Sequence, residues 1–126
     1  MADFHSTEQI IGTVRMLLGS LTEPKYLLRK PTKAADPAYI VINSLPINAD
    51  VMQKCIVNVN YHVKDMGLGI PDLAKLEAGT TAILDILQKV TTSGFLMDFE
   101  SQEIFPETAL SEHFSNIRFS VKQINY

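Results

Sequence analysis

From Cys55 to Lys64 the chain alternates strictly: Cys55, Val57, Val59, Tyr61 and Val63 fall on one side of an extended backbone, and Asn58, Asn60, His62 and Lys64 on the other. A period of two predicts a half-buried strand over 53–64. The last stretch repeats the design, with Ile117, Phe119 and Val121 opposed to Asn116, Arg118, Ser120 and Lys122, and predicts a strand over 113–124. Elsewhere the period changes. Ile10, Val14, Leu17 and Leu21 recur at spacings of four, three and four, widened by Ile11 and Leu18, behind a Ser6 and Gln9 capping box. This predicts a helix over 6–21. Leu73, Leu76, Thr80, Ile83, Leu87 and Val90 predict a second, over 72–91, with Lys75, Glu77, Asp85 and Lys89 to solvent and Pro71 at its first position.

Two more extended segments complete the pattern. The apolar, β-branched run within 38–45 suits a strand covered on both faces. The stretch 95–105 alternates Phe95, Met97 and Phe99 with Leu96, Asp98 and Glu100 until Pro106 breaks it. Tyr26 to Leu28 can form a short extended piece, and Glu107 to Glu112 a loop or one helical turn. The predicted class is therefore α+β: a mostly antiparallel four- or five-stranded sheet with two amphipathic helices packed on one face, its other face polar and wet. A length of 126 residues without repeats or a second composition zone makes residues 1–126 a single domain.

Composition adds mainly exclusions. A net charge of −3 provides no general attraction to nucleic acid or anionic lipid. Lys25, Arg29, Lys30 and Lys33 form a basic cluster, interrupted by Pro31, in a turn-rich segment that reads as a solvated loop. The acidic N-terminal residues do not resemble a signal peptide, and no apolar run reaches the ~18 residues that span a bilayer. No membrane partner is expected, and the chain reads as a soluble protein.

Candidate chemistry is sparse. His5, Cys55, His62 and His113 lack the pairwise spacing of a metal site, and Cys55 and His62 lie on opposite faces of one strand. Asp98 and Glu100 fall side by side on one strand face, with Glu103, Glu107 and Glu112 nearby, but a hydrated outer face explains them without catalysis. Gly67 and Gly69 precede a helix without the third glycine and Lys-Ser/Thr of a phosphate loop, and read as a turn. No enzyme, metal or cofactor is expected. The polar strand faces and the loops remain, and both suit subunit contacts.

In its order of elements the chain resembles the tail completion, or tail terminator, proteins of long-tailed bacteriophages and prophages. The similarity lies in Asp36-Pro37-Ala38-Tyr39-Ile40-Val41-Ile42, in Ile56 to Lys64, in Leu73-Ala74-Lys75-Leu76 with Ile83-Leu84-Asp85-Ile86-Leu87, in Phe105-Pro106-Glu107 and in Asn116 to Lys122. It covers nearly the whole chain through layout and apolar texture. The resemblance implies an α+β virion protein, made in the bacterial cytoplasm. Such a subunit forms a ring with itself, often a hexamer, that caps the tail tube protein and joins it to the head completion (head-tail connector) complex, without direct nucleic-acid recognition. Candidate interface residues are Arg29, Lys30 and Lys33 of the basic loop, Asn58, Asn60, His62 and Arg118 of the polar strand faces, and Gly67 and Gly69 of the turn. A different class remains open: a small ligand-binding or enzymatic α+β domain with a pocket between helices and sheet.

Overall fold

The computed structural model describes residues 7–30, 36–45, 53–88 and 95–123. Along the chain these form α1 (Thr7–Leu17), β1 (Lys25–Leu27), β2 (Ala38–Ser44), β3 (Gln53–Lys64), α2 (Leu73–Leu87), β4 (Phe95–Glu107), a single 3-10 turn (Thr108–Leu110) and β5 (Glu112–Gln123). The five strands make one sheet in the order β1-β2-β3-β5-β4. Every pairing is antiparallel except β1 with β2, which is parallel. The α+β class and the mostly antiparallel sheet thus hold, with the Tyr26 region supplying the fifth strand.

Residues of period two on β3 and β5 meet the helices as expected. Cys55, Val57, Val59, Tyr61 and Val63 join Ile117, Phe119 and Val121, Ile40 and Ile42 on the inner side of the sheet. Against them pack Ile10, Ile11, Val14 and Leu18 from α1 with Leu76, Ile83 and Leu87 from α2. This interlayer is filled by side chains, and it supplies the apolar burial that a domain of this size depends on. Val41 and Tyr39 of β2 are also buried on the opposite side, so that strand is covered on both faces.

Both helices end earlier than their periodicity predicts. α1 stops at Leu17, where the amides of Gly19 and Leu21 bond three residues back to the carbonyls of Met16 and Leu18. This tighter turn still delivers Leu18 and Leu21 to the core. α2 starts one residue later than predicted because Asp72, not Pro71, governs its entry. The Asp72 carboxylate accepts from the Lys75 amide at 3.2 Å and caps the helix, leaving Pro71 outside it. The helix closes at Gln88, so Leu73 to Leu87 is 15 residues rather than about twenty. His5, Ser6, Lys89 and Val90 lie outside the described residues.

Gly79 brings α2 onto the sheet. It is buried against Tyr61, and a Cβ placed there would overlap the tyrosine ring. The Tyr61 hydroxyl then continues past the helix to donate to Glu23 Oε2 at 2.6 Å.

β4 departs most from its predicted form. It runs through Pro106 instead of ending there, because it is an edge strand whose outer side has no ladder partner to lose. A bulge interrupts it: Phe99 faces Phe119 and Ser101 faces Arg118, leaving Glu100 as the extra residue. The bulge reverses the alternation beyond it, so Phe105 lies on the outer side beside Phe114, while Gln102 and Ile104 lie on the inner side. Asp98 and Glu100 are therefore not side by side on one regular strand face.

Candidate interaction surface

The outer face of the sheet is more tightly knit than its polar sequence suggests. Asn58 donates to Asn43 Oδ1 at 3.1 Å, and Asn116 donates to Asn58 and Asn60 at 3.2 and 2.7 Å. Arg118 Nε also donates to Asn58, at 3.2 Å. These cross-strand bonds hold Asn58 and Asn60 down between neighbouring side chains, so both are buried. Ser120 is buried as well. The expected wet surface is, at its centre, an internally satisfied amide ladder. Sequence alone could not reveal it, since it depends on which strand lies beside which.

Beside the ladder, aromatic rings cross the full width of the sheet. Tyr26 meets Tyr39 edge-on at 6.1 Å between centroids, Tyr39 stacks on His62 at 4.6 Å, His62 stacks on Phe114 at 4.7 Å, and Phe114 reaches Phe105 at 5.5 Å. Lys30 Nζ sits 4.2 Å from the Tyr39 ring centre, a cation over a π face. Tyr39 donates its hydroxyl to Glu112 Oε1 at 2.6 Å, and Glu112 is only 2% exposed. Burial and this carboxylate together push the Tyr39 pKa well above its ordinary value. The partners lie 73 positions apart, so nothing in the local sequence marks them as a pair.

His62 lies 3.3 Å from the same Glu112 oxygen, but its Nδ1 is not aligned for a hydrogen bond. Burial lowers its pKa from the ordinary 6.5, against the opposing pull of Glu112 and Glu107 and with a smaller lowering from Lys30. The ring is neutral at pH 7. Because the folded chain takes up this proton less readily than the unfolded one, stability contributed by neutral His62 is present above pH 6.5 and falls as the pH drops below it. Urea midpoints measured between about pH 7 and pH 5 should decline, and His62→Phe, which keeps the stack, should flatten that decline. An unchanged slope would show that other groups set the acid limit.

The β3–α2 turn has a different character. The Met66 amide bonds to the Ile70 carbonyl at 2.8 Å, and the Ile70 amide to the Gly67 carbonyl at 3.0 Å. Gly67 (φ 128°) and Gly69 (φ 75°) supply left-handed backbone, and between them Leu68 adopts φ 53°. Leu68 is fully exposed at the tip, and Met66 and Ile70 of the same turn are exposed as well. Leu73, expected at the head of the buried stripe, is instead exposed and lines a groove of about 270 Å³ between α2 and β4, with Glu77, Thr80, Thr81, Gln102 and Ile104. A γ-branched side chain held in left-handed backbone and turned to water is unfavourable twice over in the isolated subunit.

The remaining candidates are distributed over the sheet. Arg29 is exposed just past β1, Lys30 is engaged by Tyr39, and Arg118 is exposed on β5; Lys33 lies outside the described residues. Asp98 lies 3.6 Å from Lys122, and Glu107 faces Glu112 across β4 and β5. His113 meets Asp65 at 2.7 Å on the opposite side of the sheet from His62. Among the described residues, no three His, Cys, Asp or Glu side chains converge as a metal site. Cys55 is buried and its thiol pKa is pushed up to about 11 by that burial, which makes it a poor nucleophile at neutral pH. A second depression lies between α1 and β1, beside Gly12, Arg15, Met16, Gly19 and Lys25, where Lys25 Nζ is bound by the carbonyls of Leu21 and Glu23. No helix among the described residues is long and apolar enough to cross a membrane. No known protein family matches this chain, and no curated protein does.

Proposed function

We propose that the chain is a structural assembly subunit of a phage or prophage tail, forming a ring that terminates the tail tube and joins it to the head completion complex. The reading rests on the order of elements and on one structural observation: apolar side chains are presented to water on ordered turns. Leu68 is held at the tip of a hydrogen-bonded turn that also exposes Met66 and Ile70. Exposed apolar clusters of this kind mark surfaces that are covered in an assembly. A ring subunit requires such contacts and requires no reaction centre.

Light scattering coupled to size exclusion tests the self-association. The expected result is a mass that rises with protein concentration to a closed multiple of the subunit. A monomer at every concentration would remove the ring. Leu68→Asn should leave the monomer as stable as before or slightly more so, because asparagine tolerates left-handed backbone and exposure. It should nevertheless weaken binding to whichever tail component covers the turn. Equal binding by Leu68→Asn and wild type would take the turn out of the interface.

A further inference from the structure

The two edges of the sheet differ in net charge: one is acidic and the other is mainly basic. β4 forms one edge, 13 residues with Asp98, Glu100, Glu103 and Glu107 and no basic residue. β1 forms the other, where Lys25 is followed by Arg29 and Lys30, and Arg15 of α1 lines the same depression as Lys25. Glu23 and Asp36 also lie near the basic edge, each accepting from a tyrosine hydroxyl, and Asp98 of the acidic edge lies 3.6 Å from Lys122, so four cations outnumber two acids on one edge and Glu100, Glu103 and Glu107 carry the other.

The apolar side chains match as well. The inner side of β4 is only partly covered: Met97 is buried in the core, but beyond it Phe99 is 41% exposed and Ile104 39% exposed, Ile104 lining the groove that α2 forms with β4 beside Leu73. At the opposite edge Leu28 is 59% exposed in left-handed backbone (φ 72°), thrust outward where the Arg29 amide turns back onto the Leu27 carbonyl. One edge offers an apolar projection flanked by cations, and the other an apolar floor flanked by carboxylates.

We infer that the β4 edge of one copy receives the β1 edge of the next, in a head-to-tail contact that repeats around the ring. This rests on the assembly reading above and names its surface. Pairing β4 with β4 across a two-fold axis would set carboxylates against carboxylates, which is repulsive. Contact between unlike edges is heterologous, and it closes into a ring if the rotation per subunit permits. A three-residue β1 spans only about 10 Å of the roughly 40 Å of β4, so side chains carry most of the contact. The bulge at Glu100 and the proline at 106 discourage indiscriminate strand addition, which leaves charge and shape to select the partner.

Two charge reversals test this. Glu100→Lys with Glu103→Lys inverts one edge; Arg15→Glu with Arg29→Glu inverts the other. All four residues are exposed, and circular dichroism with thermal melts should report an unaltered fold for both variants. Each variant alone should lose about tenfold or more in self-association by light scattering, and raising salt to about 0.5 M should weaken wild type too. Mixed in equal amounts, the two variants should assemble again, since every junction in an alternating array then pairs opposite charges. Variants that assemble as wild type does would overturn this contact while leaving the ring intact, and so would a mixture that stays apart. A wild type that never assembles would instead defeat the ring itself.

Discussion

Gly79→Ala should destabilise the protein, although alanine is the better helix former by about 1 kcal/mol. The reason is the close approach of α2 to β3: the added Cβ would overlap the Tyr61 ring, whose far end is tied to Glu23. Overpacking of this kind costs about 1–3 kcal/mol, and Gly79→Val should lie at or above the upper end. Near this domain size each kcal/mol moves the melting temperature by roughly 4 °C, so calorimetry resolves the effect. The sign is the informative part. In a Tyr61→Leu background, where the ring is absent, Gly79→Ala should become stabilising, and the coupling should appear directly in a double-mutant cycle. Additive effects would show that Gly79 is not there to admit the tyrosine.

The second large effect belongs to Phe119. Its ring is fully buried on the inner side of β5, between Val57 of β3 and Phe99 of β4, which it meets edge-on at 6.1 Å. Phe119→Ala should cost about 3–5 kcal/mol, from lost transfer energy and the cavity left behind. That is a large part of the ~5–15 kcal/mol that holds a domain together. Phe99→Ala should cost much less, because Phe99 is partly in water already and gains less from burial. Chemical denaturation of the two variants decides the matter. Similar losses would mean that the β4 underside is covered within the single subunit, removing the apolar floor from the proposed contact.

The contrast between these phenylalanines shows what local pattern can and cannot establish. Both sit on the apolar side of an alternating strand, and the sequence ranks them equally. Their difference comes from strand order: β5 lies inside the sheet with neighbours on both sides, whereas β4 is an edge strand whose inner side is buried at Met97 but exposed at Phe99. The bulge at Glu100 is similarly invisible, since an extra residue in a strand leaves no fixed signature in hydrophobicity, yet it decides which way Phe105 and Ile104 point. Asn58 and Asn60 teach the same lesson from the polar side. Their placement on the outer face was legible, but their burial follows from amide partners on β2 and β5 that only register brings into line.

By itself the sequence determined the number and kind of most elements, the inward faces of β3 and β5, the buried stripes of both helices and the turn carrying Gly67 and Gly69. These follow from periodicity and backbone preference, which act over a few residues. Tertiary structure alone decided that β1 joins β2 in parallel, that Tyr39 meets Glu112, that Gly79 admits Tyr61, and that acidic and basic edges end up on opposite sides of the sheet. Such features depend on distances between residues far apart along the chain, and those distances are set when the whole apolar layer closes.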